Sequence, residues 1–215
     1  MSSAAMNVLR RPSAAERRSR ILRAAADVFF EHGFAATSID MIIARIGGSK
    51  RTIYAEFGNK EALFTALVSE LADDVLAPLH EPGGNEPLDI RTALVRVAER
   101  LISAYTSKDL VGVYRGIVNE AHRFPHLARA FYDKGPGRAA RELKILLDAA
   151  MRRGEIKPID TAVAADHFVG MVRDNLHLQV VLGLSGAPNG DEIRLRATGA
   201  VELFLSGIAA TSRDR

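Results

Sequence analysis

The sequence predicts an all-α fold. Nearly every extended apolar pattern repeats at helical spacing, strand-like alternation is scarce, and 215 residues that are 47% hydrophobic and 26% charged can bury a core as one large or two small domains. Residues 13–32 read as a first helix, because Ile21, Leu22, Ala25, Val28 and Phe29 share one helical stripe and Gly33 stops it. Thr37 and Asp40 have the spacing of a capping box and open a second helix to Ile46, with Ile39, Ile42, Ile43 and Ile46 as its buried stripe. Gly47 and Gly48 permit positive φ and end that helix, after which Ser49 caps a short third one reaching Phe57. Gly58 breaks the chain again. Asn59 is the next N-cap, and a fourth helix runs from Lys60 to about Pro78 with Leu63, Phe64, Leu67, Leu71 and Val75 along one side.

Residues 80–87, with Pro82, Gly83, Gly84 and Asn85, read as a loop within the larger domain. Six further helices are expected at 88–106, 110–123, 126–134, 137–153, 159–182 and 190–210. The last of these aligns Ile193, Ala197, Ala200, Val201, Phe204 and Ile208 on one face. The one before it offers Val163, His167, Phe168, Met171, Val172 and Leu178. Two such helices packed against a twofold mate would form a four-helix dimer interface.

Composition excludes several classes. The chain has no cysteine, which removes disulfide frameworks, thiolate metal sites and thiol catalysis, and fits a reducing compartment. Its longest uncharged run, 16 residues at 175–190, is too short and too polar for a bilayer span, and no export signal precedes the first arginines. A cytoplasmic location and no membrane partner are the expectation. Among its six histidines, His122 and His126 are four apart, but Pro125 breaks the helix between them, so no metal site is expected. The chain has no P-loop, no HExxH helix and no G-x-S-x-G elbow, so an enzyme is not expected, and no cofactor is implied.

Charge is distributed unevenly. Residues 1–67 carry 10 Lys or Arg against 6 Asp or Glu, whereas residues 68–215 carry 19 against 20. Arg10, Arg11, Arg17, Arg18, Arg20 and Arg23 face only Glu16, a pattern that attracts a polyanion and that a solvated surface also shows. Two short helices joined by a glycine turn, the second of them basic, make a helix-turn-helix candidate between Thr37 and Phe57. At the start of the third helix, free backbone N–H groups and the helix dipole favour phosphate beside Ser49, Lys50, Arg51 and Thr52. Arg51 could take a guanine edge, while Lys50, Thr52 and Tyr54 hold phosphates; for Tyr54 the plain alternative is a packed ring with a solvated hydroxyl.

These residues carry a resemblance. The run 20–67 resembles the DNA-binding domain of TetR-family transcriptional regulators through Ile21-Leu22-Arg23-Ala24-Ala25, Val28-Phe29, Gly33-Phe34, Thr37-Ser38 and Ile42. The match continues with Gly47, Ser49-Lys50-Arg51-Thr52-Ile53-Tyr54, Phe57 and Lys60-Glu61-Ala62-Leu63-Phe64. The stretch Asn119-Glu120-Ala121-His122-Arg123-Phe124-Pro125, with Phe131-Tyr132 and Gly135-Pro136, is similar to the C-terminal domain of the AefR-like subgroup. The resemblance implies a flexible arm at 1–12, a DNA-binding domain at 13–59 and a ligand-binding, dimerising domain at 60–215. It places Thr37 and Ser38 near phosphate at the start of the second helix, Lys50, Arg51, Thr52 and Tyr54 on the recognition helix, and Lys60 on the DNA backbone. Ile46, Gly48 and Arg51 depart from the usual residues, so the operator sequence is this chain's own.

The resemblance further implies a homodimer on a palindromic operator and a small-molecule effector but names no ligand; a pocket between helices could be lined by Tyr114, Ile117, His122, Phe131, Tyr132, Phe168, Met171 and Asn175, apolar walls with a few polar groups. The N-terminal arginines could enter a minor groove or form a non-contacting tail. The expected function is a transcriptional repressor released by its effector, with a DNA-binding or architectural protein that senses no ligand as the alternative.

Overall fold

The computed structural model describes residues 13–80 and 88–208, which fold into ten helices with no strand among the described residues. These are α1 (Ala14–Ala36), α2 (Ile39–Ile46), α3 (Lys50–Phe57), α4 (Lys60–His80), α5 (Ile90–Thr106), α6 (Lys108–Glu120), α7 (Pro125–Lys134), α8 (Pro136–Arg152), α9 (Thr161–Leu182) and α10 (Gly190–Ile208). Each helix expected from the apolar spacing is present, with its ends moved by a few residues. The arm at 1–12 and most of the 80–87 loop lie outside the described residues.

Local chemistry sets the helix ends. Ser13 and Glu16 form a full capping box at the start of α1, and the bond to Ser13 holds the Glu16 carboxyl below its ordinary pKa. Gly33 bends α1 with φ +72°, and one more helical turn follows to Ala36 instead of the stop expected at that glycine. The N-cap of α2 is Ser38, which accepts from the Met41 N–H, and not Thr37 as the spacing had suggested. Thr37 turns inward, donating to the Gly33 carbonyl at 2.7 Å, because the bend leaves that acceptor unserved in the interior. Gly47 at φ +72° and Gly48 at φ +107° form the tight turn between α2 and α3.

Two cores form. In the first, Phe29, Phe34 and Phe64 make a triangle with all three centroid distances at 5.6 Å, surrounded by Ile21, Leu22, Ile42 and Ile53. It is completed by Leu67 and Val68 of α4, Val113 and Ile117 of α6, and Leu127 of α7, so the head core extends well past residue 59. The second core packs α5, α8, α9 and α10, with Phe168 edge-on to Phe204 at 4.9 Å.

Helix ends in the body are served by side chains of neighbouring helices. Arg115 of α6 donates to the carbonyls of Val181 at 2.7 Å and Val180 at 3.1 Å, closing the C-terminal end of α9. His177 of α9 meets the Tyr105 carbonyl in the last turn of α5 at 2.8 Å. Three residues before His177, α9 breaks at Asp174, whose φ of +41° is costly for a residue with a Cβ. Its carboxylate caps the restarted helix at the Leu176 N–H and pairs with Arg196 of α10 at 3.2 Å, which holds the break in place.

Candidate nucleic-acid interface and ligand cavity

α3 is anchored by buried Ile53 and Phe57, which turns the opposite side of a short helix outward. Ser49 caps it, accepting from the Thr52 N–H at 3.3 Å, with the two hydroxyls 3.1 Å apart. Both remain exposed with Lys50, Arg51 and Tyr54, the last 46% exposed. Lys50 is already paired, its Nζ 2.8 Å from the Asp40 carboxylate of α2, and that bond raises its pKa above the ordinary value. Arg51 has no ion pair among the described residues.

Beside the first turn of α3 lies an open hollow lined by Arg17, Arg20, Gly47, Gly48, Ser49 and Thr52. Arg20 reaches the Ile46 carbonyl at the end of α2 at 3.4 Å, while Arg17 is exposed. Two guanidinium groups therefore converge on the end of the helix that most favours an anion. Positions 17 and 20 are one helical turn apart, so α1 presents both to the same side. Arg18 points elsewhere, stacking on the Phe57 ring at 4.8 Å and pairing with Glu56 at 3.8 Å.

Two of the expected DNA contacts face inward. Thr37 is 3% exposed and bonded within α1. Lys60 donates to the carbonyls of Phe34 at 2.8 Å and Thr37 at 2.9 Å, and lies 4.4 Å from the Phe34 ring. Burial pushes its pKa down. The bend at Gly33 presents these carbonyls to the start of α4, and the ammonium closes them.

The eight residues expected to line one effector pocket are not brought together. Ile117 belongs to the head core and Phe168 to the body core, while His122, Tyr132, Met171 and Asn175 are exposed. Tyr114 is half-buried between Phe131 and His177. Only Phe131 lines the apolar cavity, of about 50 Å³ and partly open to solvent, between α4, α5, α6, α7 and α8. Its walls include Leu71, Leu101, Tyr105, Leu110 and Ala139, with no charged side chain. α6 presents one face to the head and another to this cavity, so helical spacing alone could not assign Ile117.

The apolar stripe of α10 also lies inside the subunit. Ala197, Val201 and Phe204 are buried in the body core, with Ile193, Ala200 and Ile208 packed against it. The apolar surface left outside belongs instead to Val163, Met171, Leu178 and Leu182 of α9 and to Leu195 and Leu203 of α10, the last two 74% and 73% exposed.

A glycine-turned pair of short helices with a cationic, capped second member, on a larger helical body with an apolar cavity, defines a helix-turn-helix DNA-binding regulator. Residues 21–67 match the family of bacterial regulatory proteins of the tetR type, and residues 92–207 match the AefR-like transcriptional repressor C-terminal domain. The chain belongs to the TetR family of transcriptional regulators, which are non-enzymatic DNA-binding proteins.

It is 32% identical over 155 residues to the regulator YdeS of Bacillus subtilis, covering 71% of this chain and 74% of that one. It is 33% identical over 92 residues to the transcriptional repressor ComR of Escherichia coli, a match spanning 43% of this chain and 44% of ComR. Among solved structures, the flavonoid-responsive regulator FrrA is 34% identical with a TM-score of 0.69, covering 93% of this chain and all (100%) of that one. A TetR-family regulator of Mesorhizobium loti is 27% identical with a TM-score of 0.75 over the same shares, 93% and 100%. Among the described residues, no helix is long and apolar enough to cross a membrane.

Proposed function

We propose that this chain is a homodimeric, sequence-specific transcriptional repressor that acts on the chromosome in the cytoplasm and leaves its operator when a small molecule occupies the body cavity. The observation that carries the DNA half is the outward face of α3, with Arg51 free of any ion pair among the described residues and beside the hydroxyls of Ser49 and Thr52. Ser38, Lys50 and Tyr54 flank it, and the Arg17–Arg20 hollow supplies a phosphate seat next to it. Arg51 reads a base edge and its neighbours fix register on the backbone.

The exposed leucines of α9 and α10 support pairing with a second copy, since large side chains this open to water gain by mutual burial. Two heads about 34 Å apart would read a palindrome. The uncharged cavity supports an effector, as does the flavonoid response of its relative FrrA. Coupling is differential affinity: an effector that prefers a dimer with misplaced heads weakens DNA binding, typically by about 1 to 3 kcal/mol.

Selection of bound duplexes from a random pool tests the reading. A recovered palindrome with half-sites one turn apart supports it, and a pool with no enriched sequence overturns it. The recovered duplex then serves to screen for compounds that release the protein.

A further inference from the structure

One buried histidine leaves a nitrogen unserved beside the cavity. His177 is 6% exposed, its Nδ1 lies 2.8 Å from the Tyr105 carbonyl, and among the described residues Nε2 has no hydrogen-bond partner. A carbonyl can only accept, so Nδ1 carries the proton and Nε2 of the neutral ring holds a free lone pair. Burial pushes the imidazole pKa down, opposed by the Tyr105 bond and assisted by the Arg173 charge, which favours that neutral tautomer. A buried acceptor without a donor costs free energy that an incoming donor recovers.

Nε2 is on the ring edge remote from the α9 backbone, and the imidazole packs edge-on with the Tyr114 ring at 4.9 Å and lies 5.7 Å from the Tyr105 ring. Tyr105 also lines the cavity, and Tyr114 lies 6.2 Å from Phe131, which lines it too. The imidazole therefore stands behind the aromatic side of the cavity wall. The Tyr105 hydroxyl, its pKa pushed up to about 12 by burial, stays protonated. A charged ligand in such surroundings would lose its hydration without gaining a counter-charge.

We propose that the effector is an uncharged molecule with an apolar frame and one hydroxyl or N–H, and that His177 Nε2 accepts its hydrogen bond once the tyrosine rings turn aside, a specificity that rests on the effector reading above. Three residues before His177, the Asp174 break gives α9 a joint at which this contact is felt by α10 through Arg196.

The test uses the full chain and two isosteric probes, β-naphthol and β-fluoronaphthalene, of which only the first donates a hydrogen bond. The wild-type protein is expected to bind naphthol about tenfold more tightly, and His177→Phe to erase the difference. Heteronuclear NMR of the wild-type imidazole needs no mutant: the Nε2 resonance is expected to shift from the free-acceptor to the hydrogen-bonded position with naphthol and not with its isostere. Equal affinities, a preference that survives in His177→Phe, or an Nε2 already hydrogen-bonded to water before ligand is added would each overturn the proposal. Equal and measurable binding would leave the effector reading standing, whereas no binding of either probe would sink both.

Discussion

Gly112 of α6 faces Phe30 of α1 so closely that a Cβ added to the glycine would fall 1.8 Å from the ring Cδ2. One turn before Gly112 on α6, the Lys108 Nζ lies 5.1 Å from the centre of the same ring. The contact joins the DNA head to the helix that walls the cavity. Gly112→Ala is expected to cost about 1 to 3 kcal/mol by overpacking, read as a lower denaturation midpoint. Gly116→Ala is the control: its Cβ would meet only the Gly33 Cα at 3.9 Å, so helix propensity should keep the midpoint level or raise it. An unchanged midpoint in Gly112→Ala would mean that Phe30 moves aside freely.

Arg51 and Arg17 should fail in different ways. Arg51→Ala should lose about 1 to 3 kcal/mol on the selected duplex and relax the preference at one base pair. Arg17→Ala should weaken selected and scrambled duplexes alike and reduce the salt slope by about one. Titrations at several salt concentrations distinguish the two patterns.

Asp40 holds Lys50 away from any other anion. Asp40→Asn frees the ammonium and removes a negative charge from the interface. Tighter binding to every duplex is expected, with a salt slope steeper by about one. Unchanged affinity would show that DNA displaces Asp40 at no cost.

Burial gives His177 a folded-state pKa below its ordinary 6.5, so the unfolded chain takes up a proton more readily. Its contribution to stability is complete above 6.5 and is lost as pH falls through the lower, folded-state value. Between about pH 7.5 and about pH 5.5 the melting temperature of the wild type should fall more steeply than that of His177→Phe. Parallel curves would show that the imidazole titrates freely.

Leu195 and Leu203 are two helical turns apart on α10 and exposed. Leu195→Glu with Leu203→Glu should produce monomers in sedimentation without lowering helix content, since neither side chain enters the subunit core. Loss of palindrome binding together with the dimer would tie specificity to the pairing of heads.

The helices themselves were legible because their signals are local. Gly47, Gly58 and Gly183 end helices where they stand in the sequence, and Ser49 and Asn59 cap the elements that follow them. What escaped depends on contacts between distant segments. Neighbouring hydroxyls at Thr37 and Ser38 look alike until the bend at Gly33 draws one inward. Lys60 looks like a free cation until α1 presents its carbonyls from 23 to 26 residues away. The apolar stripe of α10 announces burial without saying whether the covering surface belongs to the same subunit. His177 carries no local signal of a role, because only its bond to Tyr105 reveals which nitrogen is left over.

Phe34 meets Phe124 edge-on at 5.5 Å and shares its core with Ile117 and Leu127, so the reading head is discontinuous along the chain. Splicing residues 1–59 onto a foreign regulator would strand the Phe34 ring against an ill-fitting surface. The transferable module therefore includes the start of α4 and the inner faces of α6 and α7, so that in chimaeras the inherited unit of operator choice would bring part of the sensor with it.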